Sequence, residues 1–151
     1  QPARAADAAV LACLGQAEAH ERTLRALTGT DEQAVALAQV YLRHRPLADV
    51  AELRSVTAGI ARMTAAAAQL RALQAMARQR WSDAQSLQAV AQLFPRARSL
   101  DVQRAIAGIL VRSDHQLLPR AELARLLRQT RLKSPDGSDV IDLLIRLLQS
   151  A

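Results

Sequence analysis

Residues that open and break helices recur along this chain at intervals of one short helix, and that punctuation constrains the fold more than any other feature. Thr30-Asp31, Ser82-Asp83 and Ser138-Asp139 each precede an apolar-periodic stretch, and Pro46, Pro95 and Pro119 stand at stretch boundaries. Small polar side chains at such starts accept hydrogen bonds from the free N–H groups of a first helical turn, whereas proline denies a helix its next donor. Ala and Leu, both strong helix formers, dominate between these marks. Strand-favouring aromatics amount to Trp81, Tyr41 and Phe94, and no alternating pattern competes with the helical one. The expectation is an all-α chain of 151 residues, one domain, long enough to bury a sizeable core.

Caps and periodicity predict about nine helices. Pro2 suits the first turn of a helix ended by Gly15, and residues 16–28 form a second, closed by Gly29. Thr30 is expected to cap the third, with Gln33 completing a capping box, and Pro46 follows its end near His44. The fourth starts at Asp49 and Glu52 and aligns Val50, Leu53, Val56, Ile60 and Met63 in a stripe that must face a core. The fifth covers about residues 65–79 with Leu70, Leu73 and Ala77 inward. The sixth opens at Ser82, buries Leu87, Val90, Ala91 and Phe94, and stops at Pro95. Stretches over about residues 101–112, 120–130 and 139–149 complete the series, the last after the turn Ser134-Pro135-Asp136-Gly137.

Short helices joined by short turns invite a search for self-similarity. The helix-opening pairs lie 52 and 56 residues apart, and Thr57-Ala58-Gly59-Ile60 returns 49 residues later as Ile106-Ala107-Gly108-Ile109. Ala38-Gln39-Val40 and Ala91-Gln92-Leu93 follow the same spacing, so one unit holds three helices. Mid-helix glycines at 59 and 108 are expected to admit a closely packed neighbouring helix.

The segment Asp101-Val102-Gln103-Arg104-Ala105-Ile106-Ala107-Gly108-Ile109-Leu110 resembles the inner helix of a HEAT repeat. That family's two-helix period is about forty residues, and the three-helix unit over residues 31–131 is more similar to armadillo repeats. The resemblance implies a short α-solenoid of stacked antiparallel helices, in which each helix pair buries its apolar face only against its neighbours. Such folds bind other macromolecules. The resemblance therefore implies a non-catalytic scaffold for protein–protein interaction.

Net charge is +6, and all of the excess lies after residue 63. Clustered cations gain affinity for polyanions by counterion release, which makes nucleic-acid or polyanion backbone binding the alternative function. Nearly all of the cations are Arg, in a chain equally rich in Ala, a bias that a GC-rich bacterial genome produces without selection for phosphate binding. Scarce aromatics leave few stacking platforms for bases, so nucleic acid is the less favoured partner. If the three-helix register holds, Arg43, Arg45, Arg96 and Arg98 line one edge of the stack, and Arg78, Arg80, Arg131 and Lys133 the opposite one. Cations at helix C-termini also complement the macrodipole, which explains many of them without a ligand.

Nothing in the sequence assembles a catalytic site, a cofactor site or a metal site. His20, His44 and His115 lack ligand spacing and read as solvated side chains. Ser82, Ser99 and Ser138 read as caps, and Cys13 in its apolar run as a small buried hydrophobe. Asp83 beside Trp81 resembles the aromatic-plus-carboxylate arrangement of HEAT-like DNA glycosylases, but base extrusion needs several stacking surfaces. No apolar run is long enough to span a membrane. The chain begins at Gln1 rather than Met, which reads as an excised fragment or a mature product.

The last helix carries apolar residues over about 200° of its circumference, twice the stripe a surface helix needs. Ile141, Leu144, Ile145 and Leu148 are therefore expected to pair with another chain, including a second copy, to continue into further repeats of a longer parent protein, or to be buried on both sides by their own chain.

Overall fold

The structure, a computed structural model, describes residues 6–10, 15–47, 49–133 and 139–150. Among these every regular element is a helix and none is a strand. After a helical stretch at residues 6–10 come α1 (Ala17–Ala26), α2 (Glu32–His44), α3 (Val50–Ala61) and α4 (Ala66–Met76). Then follow α5 (Ala84–Leu93), α6 (Leu100–Val111), α7 (Arg120–Thr130) and α8 (Val140–Gln149). Short 3-10 turns at Phe94–Arg96 and His115–Leu117 link α5 to α6 and α6 to α7. Cys13, Pro2 and the turn at residues 134–137 lie outside the described residues, as does Ser138.

Each Ser/Thr-Asp pair opens a helix one residue later than expected, because the aspartate is the cap. Asp31 accepts from the N–H groups of Gln33 and Ala34, Asp83 from Ser86, and Asp139 from Ile141 and Asp142. A carboxylate satisfies the free donors and also meets the positive end of the helix dipole, so it displaces the neutral hydroxyl of Thr30 or Ser82. Asp49 caps α3 in the same way through Ala51. Ser99 does occupy the N-cap of α6, but its side chain makes no capping bond.

The chain divides into two compact units, Gln1–Ala75 and Met76–Ala151. In the first, α1 and α2 form an antiparallel hairpin in which Ala19 packs on Tyr41. Helices α1 and α3 run parallel, since His20 reaches Glu52 and Thr28, just past the end of α1, lies against Gly59. Leu24, Leu27, Leu42, Leu53, Ile60 and Leu73 are buried here. The expected α3 stripe holds at Leu53, Val56 and Ile60 but not at Val50, which stands 44% exposed in the first turn, nor at Met63, which lies past the end of the helix and is only partly buried.

In the second unit α8 lies against both α6 and α7. It runs antiparallel to α7, with Arg131 beside Asp142 at one end and Arg120 reaching the Ser150 carbonyl at the other. It runs parallel to α6, with Arg104 near Asp139. Ile141, Leu144, Ile145 and Leu148 point into the space between these two helices and are at most 8% exposed. Those four side chains are thus covered by their own chain and not offered to another one, whereas Leu143, in the same apolar arc, stands 39% exposed. Gln103 ties the unit together. Its fully buried amide donates to the carbonyls of Phe94 and Thr130, and its oxygen accepts from the Leu132 N–H.

Candidate functional site

Arg43 lies in the last turn of α2 and Arg45 is its C-cap, whose N–H donates to the Tyr41 carbonyl. Arg96 and Arg98 follow α5, the first inside the 3-10 turn. All four side chains are exposed. Each pair therefore marks the C-terminal end of a helix in its own unit, where the dipole favours a cation. Of the other basic residues, Arg78, Arg80 and Lys133 belong to loops that follow helices, and all three are exposed. Arg131 is not available to a ligand, because its guanidinium grips both oxygens of Asp142 and lies 3.5 Å from Asp139. That hydrogen-bonded carboxylate pushes the Arg131 pKa further up, so the guanidinium stays charged and engaged.

The exposed face of α2 has more character than its charge alone. Ala36, Val40 and Arg43 follow one another at helical spacing along it, with Val40 46% exposed. Val50, at the start of the next helix, is a second exposed branched side chain in the same unit. The sequence names Arg43 and Arg45 but not this apolar company, because Val50 reads as a core position there and Val40 only as part of the repeat.

His20 is not the solvated side chain expected. It is half-buried between α1, α2 and α3, with Nε2 bonded to Glu52 Oε1 at 2.7 Å and Nδ1 bonded to the Tyr41 hydroxyl. A carboxylate only accepts, so Nε2 carries the proton, and in the neutral ring Nδ1 accepts from the Tyr41 O–H. Tyr41 is 3% exposed, which closes the chain of bonds to any substrate at that end. Its members are 21 and 32 residues apart, beyond the reach of any local spacing rule. His115 is likewise engaged, against the carbonyls of Leu110 and Val111. The Asp83 carboxylate is taken up by the Ser86 N–H and hydroxyl, so it is not presented as a reactive group beside Trp81.

Hollows open in each unit. In the first, a groove of about 470 Å³ between the parallel α1 and α3 has Leu24 and Val56 at its floor, with Arg25, Arg62 and Glu52 on its walls. In the second, a hollow of about 440 Å³ lies between the C-terminal end of α6 and the loop that precedes α5. Arg80, Trp81 and Arg112 line it, together with Asp114 and the apolar Ile109 and Leu117. Among the described residues no three His, Cys, Asp or Glu side chains are placed to hold a metal ion, and no helix is long and apolar enough to cross a membrane. No family model matches the chain, and neither does any curated protein or solved structure.

Proposed function

We propose that this chain is a helical-repeat scaffold whose work is to bind another protein, and that the exposed face of α2 is one of its contact surfaces. The observation that carries the reading is the row Ala36, Val40 and Arg43, where a branched apolar side chain lies beside an arginine in solvent. Arginine set among apolar side chains is the composition that protein interfaces favour, since the guanidinium stacks and hydrogen-bonds while losing less hydration than an ammonium. A surface meant only for phosphates has no need of exposed valines. The repeat reading draws support from neighbouring helices running antiparallel (α1 with α2, α7 with α8) while next-but-one helices run parallel (α1 with α3, α6 with α8). That alternation is what stacked hairpins produce.

The test is affinity capture from an extract of the source cells at about 0.15 M salt, where exposed charges beyond about 8 Å are screened. A protein retained by the wild-type chain and lost by the Val40→Asp, Arg43→Glu variant, with helical circular dichroism unchanged, supports the surface. The alternative, backbone binding of a polyanion, is favoured instead if an oligonucleotide is retained at that salt and released when Arg43, Arg45, Arg96 and Arg98 are replaced by Gln.

A further inference from the structure

The hollow beside Trp81 has a chemistry of its own, separate from the α2 face. Two of its walls end in guanidinium groups, Arg80 from the loop after α4 and Arg112 from the C-cap of α6. Neither is paired with a carboxylate among the described residues. Arg112 is oriented by its own helix, since Nε donates to the Gly108 carbonyl at 3.1 Å, and its terminal nitrogens pair with no carboxylate among the described residues. The dipole of α6 accounts for a cation at Arg112 but not at Arg80, which lies outside any helix.

Besides the two arginines the lining is mixed, with Trp81, Ile109 and Leu117 as its large apolar members and Gln79 and Ser82 as polar ones. Trp81 is 6% exposed and anchored by its indole N–H to the Met76 carbonyl at 2.9 Å, and Ile109 is 1% exposed. Asp114 also faces the hollow, with one oxygen already accepting from the Gln116 N–H. Two cations against one anion leave a single net positive charge. That net charge attracts an anion in proportion to the anion's own charge, but dehydrating the anion costs in proportion to the square of it, so a monoanionic carboxylate is better matched to the hollow than a dianionic phosphate. Guanidinium forks match the planar geometry of a carboxylate.

We infer that this hollow binds a carboxylate joined to an apolar group, with Arg80 and Arg112 holding the anion and Trp81, Ile109 and Leu117 receiving the apolar part. The same chemistry is borne by a small aliphatic or aryl acid and by the free C-terminus of a peptide ending in a branched apolar residue. The inference stands independently of the α2 surface, whose variants leave the hollow untouched.

Trp81 is the sole tryptophan of the chain, so its fluorescence reports on this hollow alone. Three probes are titrated: 4-phenylbutyrate, a peptide ending in Val-Leu with a free carboxylate, and the same peptide as its C-terminal amide. The expected result is a saturable change with one or both carboxylates, at least tenfold weaker with the amide and with the Arg80→Gln and Arg112→Gln variants. Response to the small acid alone assigns the source as a metabolite-like acid, and response to the peptide assigns it as a chain end. The inference is overturned if the amide binds as well as the acid, if inorganic phosphate produces the same change, or if no carboxylate produces any. It is equally overturned if both variants, with circular dichroism unchanged, retain full binding.

Discussion

Asp31 shows how much one side chain decides at the start of a helix. Its carboxyl is held below the usual aspartate range, chiefly by the Ala34 N–H and with help from that of Gln33, against the opposing effect of burial. A depressed folded-state value means that the cap stabilises the folded chain above the unfolded value of about 3.9 and loses that contribution as pH falls through the folded one. Thermal melts of wild type and Asp31→Asn should therefore differ at neutral pH and converge in acid, since asparagine keeps the hydrogen bond without the charge. Gln103 is a stronger case. Replacing it by Leu leaves the Thr130 carbonyl and the Leu132 N–H without this partner and takes one of two donors from the Phe94 carbonyl, which keeps the Ala97 N–H, so chemical denaturation should register a loss of about 1–3 kcal/mol. Neither role follows from local sequence, because the Gln103 partners lie nine, twenty-seven and twenty-nine residues away.

At the scale of single elements, the two mid-helix glycines look equivalent in sequence and are not so in space. A Cβ built on Gly59 would come within 3.3 Å of the Thr28 methyl group, so this glycine does admit a close neighbour, as expected. At Gly108 the nearest atom is the flexible end of Arg112 at 3.9 Å, and no neighbouring helix among the described residues comes as close. Gly108→Ala should accordingly raise stability by about 0.5–1 kcal/mol through reduced backbone entropy. Gly59→Ala should gain less or lose, because Thr28 must give way. Melting temperatures of the two variants side by side decide the matter. Helix positions were readable because capping and periodicity act within a few residues, the starts at Thr30 and Ser82 shifted by one where hydroxyl and carboxylate competed for the same donors, and the fifth expected helix ends at Met76 rather than near residue 79.

For the molecule as a whole, α8 is the element whose role the sequence leaves open among three outcomes. Ile141, Leu144, Ile145 and Leu148 are buried against α6 and α7, so Leu144→Ala should destabilise the second unit by about 2–5 kcal/mol through the cavity it leaves. Leu144→Asp should unfold that unit rather than dissociate an assembly. Hydrogen exchange would report it as lost protection across residues 100–149, and a folded variant that merely changed oligomeric state would contradict the packing described. From the sequence alone, helical class, the phase of the helices and the recurrence of the helix-opening residues were determined, because they rest on propensity, capping and spacing that act along the chain. Which apolar faces are covered, which arginines are already paired, and how Arg80, Trp81 and Arg112 come to line one hollow were decided only by tertiary structure. Burial and ion pairing depend on partners tens of residues away, and nothing in a local pattern distinguishes an apolar stripe that finds its neighbour from one left in solvent.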